Sequence, residues 1–234
     1  MFRTLDIVFP VFNESKILKK SVETLHTFLS NRISIDWKIV IAENGSTDET
    51  LEIARFLSNN YSNVIVRSYE EPGRGRAVKD SWLLSNADLV SYMDVDLSTD
   101  LEALIVSLEH MNSDDFDILI GSRLLKDSKV YGRSFKRDFI SKTYSLIFRI
   151  ILGTKFKDAQ CGFKIAKRES ILDVLKNVKD NGWFFDTELL YKSEKSGLSI
   201  KEIPVIWRDD RDSKVKILST IIKDLIGLLR IKFF

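Results

Sequence analysis

The sequence predicts an α/β fold with a mostly parallel sheet flanked by helices. Over residues 1–125, short apolar runs alternate with amphipathic helical patterns, which is typical of βαβ units. The chain has 234 residues and only three prolines, and no Pro/Gly-rich linker interrupts it. We therefore expect one domain over residues 1–212, with a first half at 1–125, a second half at 126–212 and an amphipathic helix at 213–234.

The first half carries five predicted strands and four predicted helices. The apolar runs predict strands at Asp6–Phe9, Trp37–Ala42, Val64–Ser68, Leu89–Met93 and Asp117–Gly121. Helical spacing between them predicts helices at Ser15–Ser30, Thr47–Asn59, Arg74–Ser85 and Asp100–Met111. In the second half we predict a helix at Phe135–Leu152, a late strand at Ser199–Trp207 and a last helix at Ser213–Lys232. Both helices of the second half pair an apolar side with basic residues.

An Asp-x-Asp tripeptide, Asp94-Val95-Asp96, follows the fourth predicted strand directly. A hard divalent cation held by only two carboxylates shares its other sites with water and substrate phosphates. The same spacing occurs at 115–117, which precedes a strand, and at 210–212, which lies in a charged stretch. Position therefore favours Asp94 and Asp96 as the metal ligands.

Polar residues follow each of the first four strands. Ligands of parallel sheets bind beyond the carboxyl ends of the strands, where the loops meet. These loops contribute Asn13 and Glu14, Glu43 and Asn44, Gly73 to Arg76, and Asp94 and Asp96. Four such loops on one edge indicate a binding site more strongly than any one of them does.

Charge is distributed unevenly along the chain. The net charge is +2, but residues 122–168 hold thirteen Lys/Arg and three Asp/Glu, which leaves −8 for the remainder. A basic segment indicates a phosphate-bearing ligand, an anionic membrane surface or nucleic acid, unless it is simply a solvated face. The aromatic residues in this segment follow a helical apolar face, which argues against nucleic acid. A single cysteine, Cys161, suits a reducing compartment, and we expect neither a signal peptide nor a membrane span.

The motifs together resemble those of the family 2 glycosyltransferases with the GT-A fold. The resemblance rests on residues 9–14, 43–48, 73–77 and 94–96 in the first half. In the second half, residues 121–123, 158–164, 183–190 and 213–215 are similar to the dolichyl-phosphate sugar synthases. The β-glucosyl branch is the most similar, and the mannosyl branch is next.

The resemblance implies a role for each motif. In the nucleotide-sugar half, 1–125, the donor site would comprise Pro10, Asn13, Glu14, Glu43, Asn44, Gly73, Arg74, Arg76 and Asp94. The family usually has two aspartates where this chain has Glu43 and Asn44. Mg²⁺ or Mn²⁺ would bind Asp94 and Asp96, with Ser98 as a weaker ligand. The acceptor phosphate would contact residues of the acceptor half, 126–212, and its flanks: Arg123, Arg137, Ser141 and Lys214. The catalytic residues would be Asp94, Asp96, Arg123 and Arg137.

The reaction implied is inverting transfer of a monosaccharide from a nucleotide sugar to dolichyl or polyprenyl phosphate. UDP-glucose is the favoured donor and GDP-mannose the second. A phosphate monoester is already ionised near neutral pH, so a general base is hardly needed. The enzyme would lie peripherally on the cytoplasmic face of a membrane, anchored by its amphipathic helices, unless these are ordinary core helices. The alternative within the family is transfer to a soluble or glycan acceptor.

Overall fold

The computed structural model describes residues 2–113, 115–209 and 217–233, with side chains left undescribed at 217–221. Its strands are β1 Thr4–Val11, β2 Asp36–Asn44, β3 Val64–Tyr69, β4 Leu89–Met93, β5 Ile118–Ser122, β6 Lys129–Tyr131, β7 Phe163–Lys167, β8 Ile200–Pro204 and β9 Ile206–Arg208. Its helices are α1 Leu18–Arg32, α2 Thr50–Asn60, α3 Arg74–Leu83, α4 Glu102–Ser113, α5 Phe135–Leu152, α6 Arg168–Asn177, α7 Phe185–Lys195 and α8 Ile217–Phe233.

Among the described residues, seven strands form the central sheet in the order β3-β2-β1-β4-β7-β5-β8, and β6 pairs with β9 in a small second sheet. All pairings are parallel except those of β7, which runs antiparallel to both β4 and β5. The predicted α/β class with a mostly parallel sheet is confirmed. The chain leaves β1 toward β2 on one side and later returns to β4 on the other. This reversal opens a crevice beyond the carboxyl ends of β1 and β4.

Both faces of the sheet are buried, because helices cover each of them. Alternate residues of one strand enter opposite cores: Ile7 and Phe9 pack with α1, α2 and α4, whereas Val8 packs with α3, α6 and α7. β4 shows the same alternation, with Met93 in the first core and Tyr92 in the second. This period of two reverses the direction of each successive side chain. β4 ends at Met93, and Asp94 is the first residue beyond the sheet edge.

All five strands and four helices predicted in the first half are present, with small shifts at their ends. α2 begins three residues later than predicted, because residues 47–49 form a bend and a turn in which Asp48 Oδ1 accepts from Thr50 N (3.0 Å). The late strand is divided in two at Pro204–Val205: β8 joins the central sheet and β9 joins β6. A proline offers no N–H to continue a ladder, which suits it to such a strand end.

The predicted division into a domain at 1–212 and a separate helix at 213–234 stays a prediction. The described part of α8 packs against the second core, where Leu228 is fully buried. Gly227 lies so close to Phe184 that an added Cβ would meet its ring at 2.5 Å. Among the residues described, no helix is both long enough and apolar enough to cross a membrane.

Candidate active site

The Asp94–Thr99 turn, which begins directly after β4, forms the floor of the crevice. Asp94 N donates to Gly162 O (3.0 Å), and Asp96 Oδ1 accepts from Ser98 N (2.9 Å). Leu97 adopts φ +53°, a left-handed conformation that is uncommon for a bulky residue. The turn is thus held in a sparsely populated geometry that leaves Asp96 exposed, whereas Ser98 is buried.

Gly162 makes room for the Asp94 carboxylate. A Cβ at position 162 would lie 1.7 Å from Asp94 Oδ2 and 2.2 Å from Asp94 Cγ. The φ of Gly162 is not positive, so the backbone conformation does not require a glycine here. The lack of space for a Cβ beside Asp94 does require one. The chain segment between α5 and β7 therefore fixes where Asp94 can point.

Arg74, the first residue of α3, lies between two carboxylates. Its Nη2 donates to Asp94 Oδ1 and its Nη1 to Asp186 Oδ2, both at 2.8 Å. The guanidinium also lies 4.9 Å from the ring centroid of Tyr92 and 4.8 Å from that of Trp183. Burial alone would lower the pKa of Arg74, but the charge of Asp94 and of its neighbours raises it well above its ordinary value. Arg74 is thus a permanent cation beside Asp94.

A buried ion pair between Lys164 and Asp186 holds the second carboxylate that contacts Arg74. Lys164 Nζ lies 3.0 Å from Asp186 Oδ1, is fully buried, and donates to Tyr92 Oη at 2.8 Å. Tyr92 Oη in turn donates to Asp186. Burial would raise the pKa of Asp186, but the charges of Lys164 and Arg74 lower it below its ordinary value. Asp186 is therefore an ionised anchor that orients Arg74 from the start of α7.

The loops after β1 and β2 are tied together by side chains. Asn44 Nδ2 donates to Val11 O (2.6 Å), and Asn44 Oδ1 accepts from Gly73 N (3.0 Å). Glu43 accepts from Ser46 N (2.5 Å) through one oxygen and from Ser68 Oγ (2.7 Å) through the other. These bonds bring three of the four predicted loops to one place. Direct donor contacts by Glu43 and Asn44 stay a prediction.

The remaining donor residues lie around the same crevice. Asn13 adopts φ +56° and its Oδ1 accepts from Thr47 N (2.8 Å), while Glu14 N donates to Thr50 Oγ1 (2.8 Å). Arg76 Nη1 pairs with Glu71 Oε2 at 2.9 Å. Pro10 lies within β1, one residue before its end. Their predicted donor contacts are not tested by the structure.

The carboxylates present suit a divalent cation. Asp94 and Asp96 offer hard oxygen ligands, which Mg²⁺ and Mn²⁺ accept. Within the described residues, no group of three or more His, Cys, Asp or Glu side chains converges as metal ligands. A two-carboxylate set therefore fits a cation that completes its coordination with water and diphosphate oxygens. The roles of Asp94, Asp96 and Ser98 as metal ligands stay predictions.

The other two Asp-x-Asp pairs lie elsewhere. Asp115 is exposed and pairs with Lys167 at 2.9 Å, and Asp117 accepts from Ser199 N (2.8 Å) at the opposite end of β5 from the crevice. Residues 210–212 lie outside the described part of the chain.

A second buried ion pair lies at the end of β5. Arg123 Nε and Nη2 donate to the two oxygens of Asp158, each at 2.8 Å, and Arg123 N donates to Asp158 Oδ2 at 2.8 Å. Burial would raise the pKa of Asp158, but the charge of Arg123 lowers it; Asp158 likewise keeps the pKa of Arg123 above its ordinary value. This two-pronged contact fixes the plane of the Arg123 guanidinium.

Strand β9 joins this arginine to the Asp94–Thr99 turn. Arg208 N donates to Ser98 O (2.8 Å), Asp100 N donates to Ile206 O (2.9 Å), and Trp207 forms an antiparallel bridge with Thr99. The Trp207 ring centroid lies 5.6 Å from Arg123 Cζ. Backbone hydrogen bonds therefore join the Asp94–Thr99 turn to β9, and Trp207 of β9 lies beside Arg123.

The other predicted acceptor residues lie on α5 or outside the described residues. Arg137 Nη1 contacts both oxygens of Asp209, at 2.6 and 2.7 Å, which joins the start of α5 to the end of β9. Ser141 lies one turn further along α5 and is partly buried. Lys214 lies outside the described residues. Contacts of all three with an acceptor stay predictions.

Helix α8 approaches the site through buried polar contacts. Asp224 Oδ2 accepts from Gln160 Nε2 (2.7 Å), and Arg230 Nη2 donates to Glu188 Oε2 (2.6 Å). Burial raises the pKa of Asp224 to about 7, and the nearby charge of Asp180 adds to the rise. The folded protein thus keeps a proton that the unfolded chain releases near pH 4. Its contribution to stability is greatest at lower pH and is lost as the pH rises through about 7.

Sequence reasoning missed several residues of this site. It gave no role to Tyr92, Lys164, Trp183 or Trp207, because a residue inside a strand or an apolar run has the appearance of core. Lys164 does carry a signal, since the apolar residues around it indicate burial and a buried lysine requires a charged partner. Cys161 is a small, buried core residue, and burial raises the pKa of its thiol to about 11.

Three comparisons place the chain among known proteins. The family model described as Glycosyl transferase family 2 matches residues 6–175. Glycosyltransferase AglD of Haloferax volcanii is 33% identical over 96% of this chain, which spans 35% of that protein. Dolichyl-phosphate beta-glucosyltransferase ALG5D of Trichomonas vaginalis is 33% identical, with coverage of 98% of this chain and 73% of the relative. The dolichyl-phosphate beta-glucosyltransferase of Saccharomyces cerevisiae is 27% identical, with coverage of 94% and 71%.

A solved structure shares the fold at low identity. Glucosyl-3-phosphoglycerate synthase from Mycobacterium tuberculosis, in complex with Mn²⁺, UDP-glucose and glycerol 3-phosphate, superposes with a TM-score of 0.69 at 20% identity. The match covers 97% of this chain and 79% of that one. The GT-A fold predicted from the motifs is confirmed. The chain belongs to glycosyl transferase family 2.

Proposed function

We propose that this chain transfers glucose from UDP-glucose to dolichyl phosphate, with inversion, and forms dolichyl β-D-glucosyl phosphate. The observation that carries the proposal is the backbone link between the Asp94–Thr99 turn and β9, whose Trp207 ring centroid lies 5.6 Å from Arg123 Cζ. The names of the relatives support the sugar and the lipid acceptor. The UDP-glucose and Mn²⁺ in the solved neighbour support the donor and a divalent metal.

On the donor side, Asp94 and Asp96 would hold Mg²⁺ or Mn²⁺ against the diphosphate of the nucleotide sugar, with Ser98 or water beside them. The bound cation neutralises charge on the departing diphosphate. Arg74, anchored by Asp186 and already 2.8 Å from Asp94, offers a second positive charge at the same place. The loops that carry Pro10, Asn13, Glu14, Glu43, Asn44, Gly73 and Arg76 would enclose the rest of the donor.

On the acceptor side, Arg123, Arg137, Ser141 and Lys214 would grip the lipid phosphate. One phosphate oxygen attacks the anomeric carbon of glucose as the bond from that carbon to UDP breaks, and the electron pair of that bond leaves with UDP. The second pKa of a phosphate monoester is near 6, so the nucleophile needs no base at neutral pH. The residues therefore bind, orient and neutralise charge rather than move a proton.

A lipid surface is the partner that the exposed helices suit. Phe135, Phe139, Leu146 and Ile150 form one exposed stripe on α5, and Ile222, Leu225, Ile226, Leu229 and Phe233 form another on the adjoining α8. Exposed basic residues flank both stripes, as on helices that lie in a membrane interface: Lys136, Lys142, Arg149, Lys223 and Lys232. We propose that these stripes enter the membrane interface and bring dolichyl phosphate to Arg123. A single cysteine favours a reducing compartment, and hence the cytoplasmic face.

Transfer of radiolabelled glucose tests the activity. We expect the purified chain, given UDP-glucose, dolichyl phosphate and Mn²⁺ or Mg²⁺, to move label into the organic phase. Label from GDP-mannose alone would instead support the mannosyl alternative. Label that remains in a water-soluble glycan would support the other acceptor class. Absence of organic-phase label with every donor would refute the lipid acceptor.

Vesicle flotation tests the membrane surface separately. We expect the chain to float with vesicles of phosphatidylcholine and phosphatidylserine, and a Phe139→Gln/Ile226→Gln variant to lose most of this binding. Phe56 is similarly exposed, at 53%, on α2, which covers the other side of the sheet. Phe56→Gln is therefore a matched control and should float as the unaltered chain does. Equal loss in both variants would contradict a dedicated surface.

A further inference from the structure

Arg133, between β6 and α5, holds a buried hydrogen-bond donor that the fold leaves unused. Its side chain is 10% exposed, and its buried Nη1 has no hydrogen-bond partner among the described residues. Asp138 Oδ1 approaches Nη1 at 3.8 Å, which is too long for a hydrogen bond, and Asp138 Oδ2 is already 2.7 Å from Lys142 Nζ. Leaving a buried charged donor unsatisfied is costly. A ligand that accepts this bond would remove the cost.

The surroundings of Arg133 indicate an anion. Arg123 Cζ and Arg133 Cζ each lie 5.6 Å from the ring centroid of Trp207, so two guanidiniums share one indole. Burial and the charge of Arg123 both lower the pKa of Arg133. An anion bound near both groups would offset their mutual repulsion and the loss of hydration.

The position of this cluster indicates which anion it would bind. Trp207 bridges to Thr99 in the turn that begins with Asp94, so the cluster adjoins the proposed donor diphosphate. Arg133 also lies two residues before Phe135, the first residue of the exposed apolar stripe of α5. A ligand that reaches from the donor diphosphate, past the two arginines, to the apolar stripe of α5 has a phosphate at one end and a hydrocarbon chain at the other.

We propose that Arg133 donates a hydrogen bond to the phosphate of the lipid acceptor and thereby helps to fix the attacking oxygen. The proposal rests on the proposed function and adds a residue to the predicted set of Arg123, Arg137, Ser141 and Lys214. Two side-chain donors of Arg123 already bond to Asp158, whereas no described residue accepts a hydrogen bond from Arg133 Nη1. Arg133 is then a binding residue for the acceptor rather than one more surface charge.

Acceptor kinetics of Arg133→Gln test this role against a matched control. Arg55→Gln removes the same charge from an exposed arginine on α2, away from the crevice. We expect Arg133→Gln to raise the KM for dolichyl phosphate by about tenfold to a hundredfold and to leave the KM for UDP-glucose nearly unchanged. Arg55→Gln should behave as the unaltered enzyme in both respects. An equal acceptor KM in the two variants would overturn the proposal.

A second variant and a stability measurement cover the remaining outcomes. Arg133→Lys keeps the charge, but its ammonium ends short of the place of Nη1, so we expect a smaller, several-fold rise in acceptor KM. If Arg133→Gln does not fold, an unchanged acceptor KM in Arg133→Lys overturns the proposal. Lower thermal stability with unchanged KM would mean a purely structural role and would also overturn it.

Failure of the proposed function is recognised separately. If the unaltered chain transfers no glucose to dolichyl phosphate, the proposed function fails whatever Arg133 does. Quenching of tryptophan fluorescence by dolichyl phosphate in detergent micelles then decides the role of Arg133 without any turnover. We expect weaker binding by Arg133→Gln than by Arg55→Gln, and equal binding would refute the inference.

Discussion

Replacing Gly162 by alanine should disable the site while leaving the fold in place. The added Cβ would lie 1.7 Å from Asp94 Oδ2, 2.2 Å from Asp94 Cγ and 2.8 Å from Asp94 Oδ1. Ordinary carbon–oxygen contacts are about 3.4 Å or longer, so the carboxylate must move by roughly 1.5 Å or more. A shift of about 1 Å in a catalytic group can cost on the order of a hundredfold in rate. We therefore expect kcat/KM for metal-dependent transfer to fall by about a hundredfold or more.

The cost in stability should be much smaller than the cost in activity. Inserting one methyl group into a packed position costs about 1–3 kcal/mol, and the exposed side of Asp94 offers space for relief. Gly197→Ala is the matched control, because its φ of +83° costs about 1 kcal/mol on its own and no atom lies within 4 Å of the added Cβ. It should lose comparable stability and keep full activity.

Two measurements separate these effects. Transfer rates at a series of Mn²⁺ concentrations should show a higher metal requirement in Gly162→Ala and an unchanged one in Gly197→Ala. Urea denaturation followed by circular dichroism gives the free energy of unfolding of each. A Gly162→Ala variant with the activity and metal requirement of the unaltered enzyme would refute a role for the Asp94 carboxylate at its present position.

The buried charges give three further predictions. Lys164→Met should lower the free energy of unfolding by about 3–5 kcal/mol in urea denaturation, and adding Asp186→Asn should restore part of it; a fully additive double variant would contradict the coupling. Asp158→Asn frees the guanidinium of Arg123 and should raise the KM for dolichyl phosphate about tenfold in transfer assays, whereas an unchanged KM would exclude that orienting role. The free energy of unfolding should fall by about 1.4 kcal/mol per pH unit between roughly pH 4 and 7, and Asp224→Asn should remove this fall. Unfolding measured at a series of pH values checks it, and parallel profiles of the two proteins would contradict the role of Asp224.

The first half of the fold is predictable because its signals are local. The strands from Asp6 to Met93 are short apolar runs, and apolar residues recur at helical spacing in the segments between them. The order of the elements therefore follows from the sequence alone. The Asp94–Thr99 turn follows as well, since Asp94 comes directly after such a run. Convergence of the loops then needs only the general rule for parallel sheets.

The second half depends on distant partners and is less predictable. β7 contains Lys164 and Lys167, and these two lysines argue against a buried strand. Only the folded structure shows that Asp186 and Tyr92, from other segments, contact Lys164. Its antiparallel insertion between β4 and β5 is a long-range pairing that no local pattern encodes. The same holds for β6 and β9, a pair of three-residue strands whose contact places Arg133 beside Trp207.

Asp94 and Asp96, in the function proposed above, serve a transfer that ends on a lipid phosphate. The decisive quantity is the label recovered in the organic phase from UDP-glucose and dolichyl phosphate, with Mn²⁺ present or removed by chelator, for the unaltered chain and for Asp96→Ala. We predict labelled lipid only with the unaltered chain and only with metal. Equal labelled lipid from Asp96→Ala, or from the chelated enzyme, would contradict this role.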